Sequence, residues 1–304
     1  HNVFHDLANG IGVWGSGTNQ RNNIIRYNTF YNIGVEGGDT AYLIGAGSFA
    51  AVHVSVPGGG HLIHNNVVYN SGTTGSPKFR AFRVGTQATG DLGDFYNNTA
   101  YNLDGTGTKF IVDVGATRTA EFRNNICYLC EGTAFSGGTQ SNNLTTNPSY
   151  TNAAGGDFSL SSGSAAINAG TTATALPYCG TAPDQGAFET LVVTAASIDG
   201  DLMDVTICSA APPIIPGTFT VARSGGTPTV LNTSLLGGAG GIVRLEVSET
   251  CAAAQTWTVS AGTTTTDSTL VGNTLNQPLH TVTAFPVDSS ACDGRGPGSA
   301  PGGH

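Results

Sequence analysis

The chain has 304 residues, of which only 10% are charged, and its formal net charge is −9. Lys and Arg form no basic face, so nucleic acid is excluded as a partner, and no apolar run approaches the roughly 20 residues of a membrane helix. The length predicts two domains, and the 44 glycines with a single methionine predict an all-β protein because helix formers are scarce.

Residues 1–190 contain a repeated phrase that is typical of stacked β-coils. Full copies occupy 25–32, 63–70, 95–102 and 122–129, with a partial copy at 2–6 and a fading copy at 141–144. Most copies are separated by about the length of one solenoid coil, and the longer intervals hold inserted loops. The repeat therefore predicts a parallel β-solenoid.

An Asn recurs at one position of the phrase, between two inward-facing apolar columns. Because side chains alternate along a strand, we expect this Asn at the bend between strands. One amide can donate to the coil on one side and accept from the coil on the other. The predicted ladder consists of Asn28, Asn66, Asn98, Asn125 and Asn143.

The phrase resembles the repeat of the right-handed parallel β-helix superfamily, which includes pectate-lyase-like and other polysaccharide lyases, epimerases and surface proteins. Segments 142–150, 156–170 and 183–189 resemble the end module of bacterial β-helix proteins often called choice-of-anchor Q. The resemblance implies a right-handed solenoid over 1–190 in an exported bacterial protein. The phrase at 2–6 lacks its front, so we expect an incomplete first coil.

Residues 191–288 lack the Asn phrase and contain six short β-rich runs separated by turn residues. This pattern predicts an antiparallel β-sandwich. The segments 217–221 and 272–273 resemble bacterial surface immunoglobulin-like modules of the SwmB type. Residues 289–304 are predicted to be a Gly/Pro-rich tail.

Six cysteines in a chain of this composition favour an extracellular or cell-surface protein with disulfides. Cys208 and Cys251 lie on predicted strands and are predicted to pair. The CxxC at 127–130 has no second CxxC to complete a zinc site, which favours a structural or disulfide role. Pairing is left open for Cys127, Cys130, Cys179 and Cys292.

One basic cluster is a candidate for lyase chemistry, which requires a cation near a uronate carboxylate and a base. It consists of Lys78, Arg80 and Arg83, and a solvated basic loop is the alternative. Strand alternation predicts Arg80 and Arg83 on opposite faces. Three histidines lie upstream in neighbouring coils: His53, His61 and His64.

Acidic residues are scattered over several coils, and the sequence pairs none of them: Glu36, Asp39, Asp91, Asp94, Asp113 and Glu121. A glycosidase would need two facing carboxyl groups. No cofactor or resident metal is predicted, although lyases of this fold often use Ca²⁺.

An outward aromatic column follows the Asn position and begins at His5. Its other members are Tyr31, Tyr69, Tyr101 and Tyr128. Such a column is a candidate glycan-contact surface, but it would also form if it covered the sheet or lay under the second domain.

The expected function is that of a secreted or cell-surface structural, adhesive or glycan-contacting solenoid, with a polysaccharide or neighbouring copies of itself as partner. The alternative is a polysaccharide lyase that acts on an acidic polysaccharide. The incomplete first coil favours either a fragment of a longer solenoid or an end that docks into a filament.

Overall fold

In the computed structural model the chain forms two compact units, one of residues 1–176 with 181–188 and the other of 177–180 with 189–304. The structure describes residues 2–14, 21–34, 49–56, 59–73, 79–85, 90–112, 118–190, 192–208, 218–226, 228–236, 242–249, 251, 255–262, 285–289 and 292. The tail at 293–304 and Lys78 lie outside these ranges.

Three parallel five-stranded sheets make up the solenoid in the described part of the first unit, which confirms the predicted fold class. Sheet A contains β1 (Val3–Leu7), β4 (Thr29–Ile33), β7 (Val67–Ser71), β10 (Thr99–Leu103) and β13 (Ile126–Cys130). Sheet B contains β2 (Ile11–Trp14), β5 (Phe49–Ser55), β8 (Phe79–Val84), β11 (Phe110–Val112) and β14 (Phe135–Ser136). Sheet C contains β3 (Ile24–Arg26), β6 (Leu62–His64), β9 (Gly90–Tyr96), β12 (Arg118–Arg123) and β15 (Thr139–Ser141).

The core of the solenoid consists of apolar columns that repeat from coil to coil. On sheet B the rings of Phe82 and Phe110 are 4.7 Å apart, and those of Phe110 and Phe135 are 4.6 Å apart. On sheet C the rings of Phe95 and Phe122 are 5.3 Å apart. Aromatic pairs at such distances stabilise the stack beyond their buried area, so register and packing support each other.

An Asn ladder runs along the bend between sheets C and A. The Nδ2 atoms of Asn28, Asn66 and Asn98 each donate to the Oδ1 atom of the next ladder residue at 3.0 Å. Asn125 donates to Asn143 in the same way at 3.0 Å. The main-chain N–H of each donor residue shares the same acceptor. The five predicted residues therefore form one continuous hydrogen-bonded column.

A second set of Asn residues directly precedes four members of this ladder, and each has φ between 50° and 57°. Their side chains donate to the main chain of two later stretches, 168–171 and 183–188, which we call the strap. The bonds join Asn65 to the carbonyl of Ala187, Asn97 to that of Asp184, Asn124 to that of Thr171 and Asn142 to that of Ala169. The strap is thus fixed to four successive turns of the solenoid.

A hairpin of β16 (Tyr150–Asn152) and β17 (Asp157–Leu160) precedes the strap. Its turn contains a short 3-10 helix at Ala153–Gly155, and a second one lies at Thr172–Thr174. Phe158 from the hairpin is buried together with Val67 and Ala187. This places the hairpin against the outer side of sheet A.

The described residues of the second unit form two antiparallel sheets that share one core. The first contains β18 (Val192–Asp199), β19 (Leu202–Cys208), β22 (Ile242–Val247) and β21 (Val230–Leu236). The second contains β20 (Thr218–Arg223), β23 (Trp257–Gly262) and β24 (Phe285–Val287). Strand β21 was not predicted, because this sheet-edge strand carries polar residues such as Asn232 among its apolar ones.

The predicted pairing of Cys208 with Cys251 is wrong, since Cys251 forms a disulfide with Cys292. The N–H of Cys251 donates to Gly200 at the start of β19, whereas Cys208 ends that strand. Seven residues of extended strand span about 20 Å, which is too far for a disulfide.

The open pairing of the CxxC is settled by the structure. Cys127 and Cys130 are bonded to each other, with Cα atoms 6.0 Å apart, and Cys179 is also disulfide-bonded. Both CxxC cysteines pack against the core of the solenoid. A structural role therefore fits this motif.

Candidate functional site

Arg80 and Arg83 both lie on the outer side of sheet B, and the prediction that they lie on opposite faces is wrong. The main-chain N–H groups of Ala81 and Phe82 both donate to the carbonyl of Lys109 at 2.9 Å. Two consecutive donors on one acceptor form a local bulge on the side of β8 that faces Lys109, while the register of β8 with β5 continues without a shift. Phe79 and Phe82 are consequently buried, while both Arg side chains are partly exposed.

His53 on β5 and Trp14 on β2 lie on the strands of sheet B that precede β8. His53 is the register partner of Arg83 on β5, and its ring lies 4.4 Å from the ring of Trp14 on β2. Trp14 is 42% exposed, whereas His53 is only 2% exposed. We call Trp14, His53, Arg80 and Arg83 the basic face.

Two glycines leave room for these side chains. A Cβ atom at Gly12 would lie 2.2 Å from the indole nitrogen of Trp14. A Cβ atom at Gly85 would lie 2.6 Å from Nε2 of His53 and 2.7 Å from Oγ of Ser55. Any larger residue would displace the Trp and His rings, so both positions shape the face.

The other two histidines of the sequence analysis lie elsewhere. The Nδ1 atom of His61 is 3.3 Å from the main-chain N–H of Asn23, which donates to it. His64 ends β6 on sheet C, where its ring meets the edge of Tyr27. Of the three histidines, His53 alone therefore accompanies the basic face.

Lys109 is a residue that sequence reasoning missed. It is fully buried, and its ammonium group donates to the carbonyl of Asp104 at 2.7 Å and to that of Gly105. Burial, aided by the like charge of Arg80 and opposed by Glu131 and Asp104, lowers the pKa of Lys109 to about 8. The only sequence signal is a Lys directly before the apolar run at 110–112.

The side chains of the aromatic column on sheet A pack against one another and against the hairpin. The rings of His5 and Tyr31 stack on each other at 4.9 Å, so their faces meet along the column. Phe158 of the hairpin lies 5.0 Å from Tyr69 and 5.4 Å from Tyr101. Tyr128 packs against a buried cluster of Ile126, Leu160 and Ala166. This arrangement favours the interpretation in which the column covers the sheet.

Two of the scattered carboxylates are brought together on sheet C. Asp94 and Glu121 are register partners, and the hydroxyl of Tyr96 donates to Glu121 at 2.6 Å. Arg123 donates to the other oxygen of Glu121 at 2.8 Å. The Tyr96 hydrogen bond, aided by Arg123, lowers the pKa of Glu121, and burial raises the pKa of Tyr96. These groups are paired with one another, which is typical of a structural cluster.

The structure gives no side-chain positions for the remaining carboxylates of the sequence analysis. Glu36, Asp39 and Asp113 lie outside the described residues, as does the side chain of Asp91. Within the described ranges, no group of three His, Cys, Asp or Glu residues is placed to hold a metal ion.

The fold and the basic face together define a parallel β-solenoid protein that presents cationic and aromatic side chains on one sheet. Comparison of the chain with known protein families, curated proteins and solved structures found no match. The described residues contain no helix with the length and hydrophobicity needed to cross a bilayer.

Proposed function

We propose that this chain is an exported protein whose solenoid contacts an acidic polysaccharide along the outer side of sheet B. One observation carries the proposal: Arg80 and Arg83 are both partly exposed on the same side of β8, and Arg83 lies next to His53, whose ring contacts the exposed Trp14. The disulfides of both units support an oxidising location.

The chemistry of the basic face fits a polymer of acidic sugars. A guanidinium group binds a carboxylate through two parallel hydrogen bonds, and it stays charged at all physiological pH values. An exposed indole offers a rigid apolar surface for the C–H side of a sugar ring. Because the strands are about 4.8 Å apart, neighbouring coils present these groups at intervals that suit successive contacts along one chain.

The test is the affinity of the purified chain for polygalacturonate, measured by calorimetry, with dextran as a neutral polymer. Arg83→Gln and Trp14→Ala should each weaken binding by roughly tenfold, which corresponds to about 1.4 kcal/mol. Arg26→Gln is the matched control, since Arg26 is an exposed solenoid arginine on sheet C. Equal affinity of Arg83→Gln and the parent protein, or no binding of any uronate polymer, would contradict the proposal.

A polysaccharide lyase remains the second candidate because His53 neighbours Arg83. An imidazole can remove a sugar C5 proton while a guanidinium group neutralises the adjacent carboxylate. Incubation with uronate polymers, with and without Ca²⁺, should then yield an unsaturated product that absorbs in the ultraviolet. His53→Ala should abolish this signal. Binding without product would leave a non-catalytic contact surface.

A further inference from the structure

We propose that Lys109 is the positioning residue of the basic face: it holds the turn at 104–109 in the place where its main-chain carbonyl stabilises the β8 bulge. The inference rests on the proposed function only in its binding readout.

The main chain of Lys109 is hydrogen-bonded to both the preceding and the following coil. Its carbonyl accepts both bulge N–H groups, and its own N–H donates to Thr133 at 2.9 Å. If this carbonyl moved, Ala81 and Phe82 would lose their shared acceptor. The bend at Ala81 and Phe82, which breaks the alternation of the strand, would then lose one of its supports, and the outward directions of Arg80 and Arg83 would be held less firmly.

The side chain of Lys109 fixes the turn from inside. Its ammonium group joins the carbonyls of Asp104 and Gly105, which open the same turn. The main-chain N–H of Gly105 in turn donates to the carboxylate of Glu131 at 2.5 Å. One buried cation thus closes a turn of six residues, and a charge-assisted bond to a carbonyl is stronger than a neutral one.

Neighbouring coils leave little space for this turn to move. A Cβ atom at Gly72 would lie 2.3 Å from the carbonyl oxygen of Asp104, and one at Gly132 would lie 2.4 Å from that of Thr106. Both glycines have positive φ values. The turn is therefore seated between the coils before and after it, and Lys109 fills the enclosed space beneath it.

The charges around Lys109 give this role a pH dependence. Arg80 faces the ammonium group as a like charge, while Glu131 and Asp104 face it as opposite charges. With a pKa of about 8, Lys109 loses its proton in mildly alkaline solution. A solvated lysine in the opened turn holds its proton up to a higher pH than the buried Lys109 does, so the closed turn should gain stability as the pH rises through about 8.

Hydrogen exchange of the Ala81 and Phe82 amides tests the positioning role without any ligand. Lys109→Met should reduce the protection of these two amides by about tenfold or more, relative to amides of sheets A and C. Lys109→Arg, which keeps the charge, should retain most of it. Unchanged protection at Ala81 and Phe82 in Lys109→Met, or an equal loss in all sheets, would overturn the proposal.

The parent protein supplies a readout that does not depend on how the variants fold. Between about pH 7 and about pH 9, its protection factors at Ala81 and Phe82, corrected for the intrinsic exchange rate, should rise. Constant or falling protection would overturn the pH role. Lys109→Arg, which keeps its charge, should show no such rise, and the affinity of the parent for polygalacturonate should not fall over this range. If nothing binds, the proposed function fails while the exchange result still decides the role of Lys109.

Discussion

Adjacent asparagines in one turn have different partners in this solenoid. Asn98 points inward and joins the ladder through Asn66 and Asn125. Asn97, which directly precedes it with φ of 52°, points to the strap and donates to Asp184. The Asn-Asn pair is therefore one dipeptide with two functions, and only the first position needs the left-handed conformation that Asn tolerates.

Asn98→Ala should lower the free energy of unfolding of the solenoid by about 1–3 kcal/mol, because it leaves buried partners without bonds. Asn98 donates to Ile63 and Asn125, and it accepts both the main-chain and the side-chain N–H of Asn66. Urea unfolding would measure the loss. Asn232→Ala, on an exposed strand position of the second unit, is the control, and equal stability of the Asn98 variant and the parent would refute the ladder argument.

Leu129→Asn should stabilise the solenoid by about 1 kcal/mol. Leu129 is 53% exposed and has φ of 53°, a conformation that costs a leucine side chain roughly this much. Three of the four register-equivalent positions in the other coils carry Asn: Asn32, Asn70 and Asn102. Thermal unfolding of oxidised protein would measure the gain.

Leu231→Asn is the matched control for this substitution. Leu231 is 62% exposed on β21 and is not among the described residues with positive φ. It should gain no stability, and a similar gain at both positions would mean that removing an exposed leucine, not relieving backbone strain, is the cause.

At the level of elements, the strap is held mainly by the turns of the solenoid. Its four Asn contacts repeat once per coil, and the N–H groups of Gly186 and Ala187 donate to the carbonyl of Asn124 and to the hydroxyl of Thr99 at the start of β10. Tyr27, with φ of 55°, occupies the equivalent place in the preceding coil, so a Tyr stands there in place of the first Asn of the pair. The length of the Asn-Asn series thus matches the number of turns that the strap covers.

Asn124→Ala should detach the strap without unfolding the coils. The variant loses two bonds to the strap, one donated to the carbonyl of Thr171 and one accepted from its N–H at 2.7 Å, and a longer bond of 3.3 Å donated to Asn97. Amides at 168–171 and 183–188 should exchange at least about tenfold faster, while those of β7 and β10 stay protected. Asn32→Ala, an Asn with the same backbone conformation and no strap contact, is the control. Uniform loss of protection would contradict a separable strap.

Stability should fall as the pH drops from about 7.5 to about 5.5, because of His64. Burial lowers the pKa of His64, the hydrogen bond to Asn65 opposes this shift, and Arg26 adds to it. The folded state therefore resists protonation that the unfolded chain accepts, and stability is complete above the unfolded pKa. Urea titrations should show this slope in the parent and a smaller one in His64→Gln; equal slopes would assign the effect to other groups.

At the scale of the whole molecule, the two units contain disulfides that close loops of very different length. The first contains a disulfide within one strand segment, whereas the second closes a loop across 41 residues between Cys251 and Cys292. Closing a long loop restricts the unfolded chain much more than closing a short one.

Removing the Cys251–Cys292 disulfide by a double Cys→Ala change should destabilise the second unit by about 2–4 kcal/mol. The same change at Cys127 and Cys130 should cost less, because that loop is short. Calorimetry would follow the two units, and mass spectrometry of a non-reduced digest should recover the Cys251–Cys292 peptide. A Cys208–Cys251 peptide would contradict the structure.

The sequence by itself determined the solenoid, the ladder and the all-β character of both units. These follow from local periodicity: apolar residues at alternate positions must point one way, and an Asn repeated at one bend must meet its equivalent in the next coil. Asn28 and Asn66 could be predicted as partners because the repeat fixes their register, whatever the length of the loop between them.

Only the tertiary structure decided the bulge, the covered Tyr column, the disulfide partner of Cys251 and the position of Lys109. Each depends on contacts between segments that are distant in sequence and follow no repeat. The carbonyl of Lys109 accepts two consecutive N–H groups of β8, and Phe158 packs against Tyr69 and Tyr101. A period along the chain describes the coils, but the segments that interrupt or cover them are chosen by packing in three dimensions.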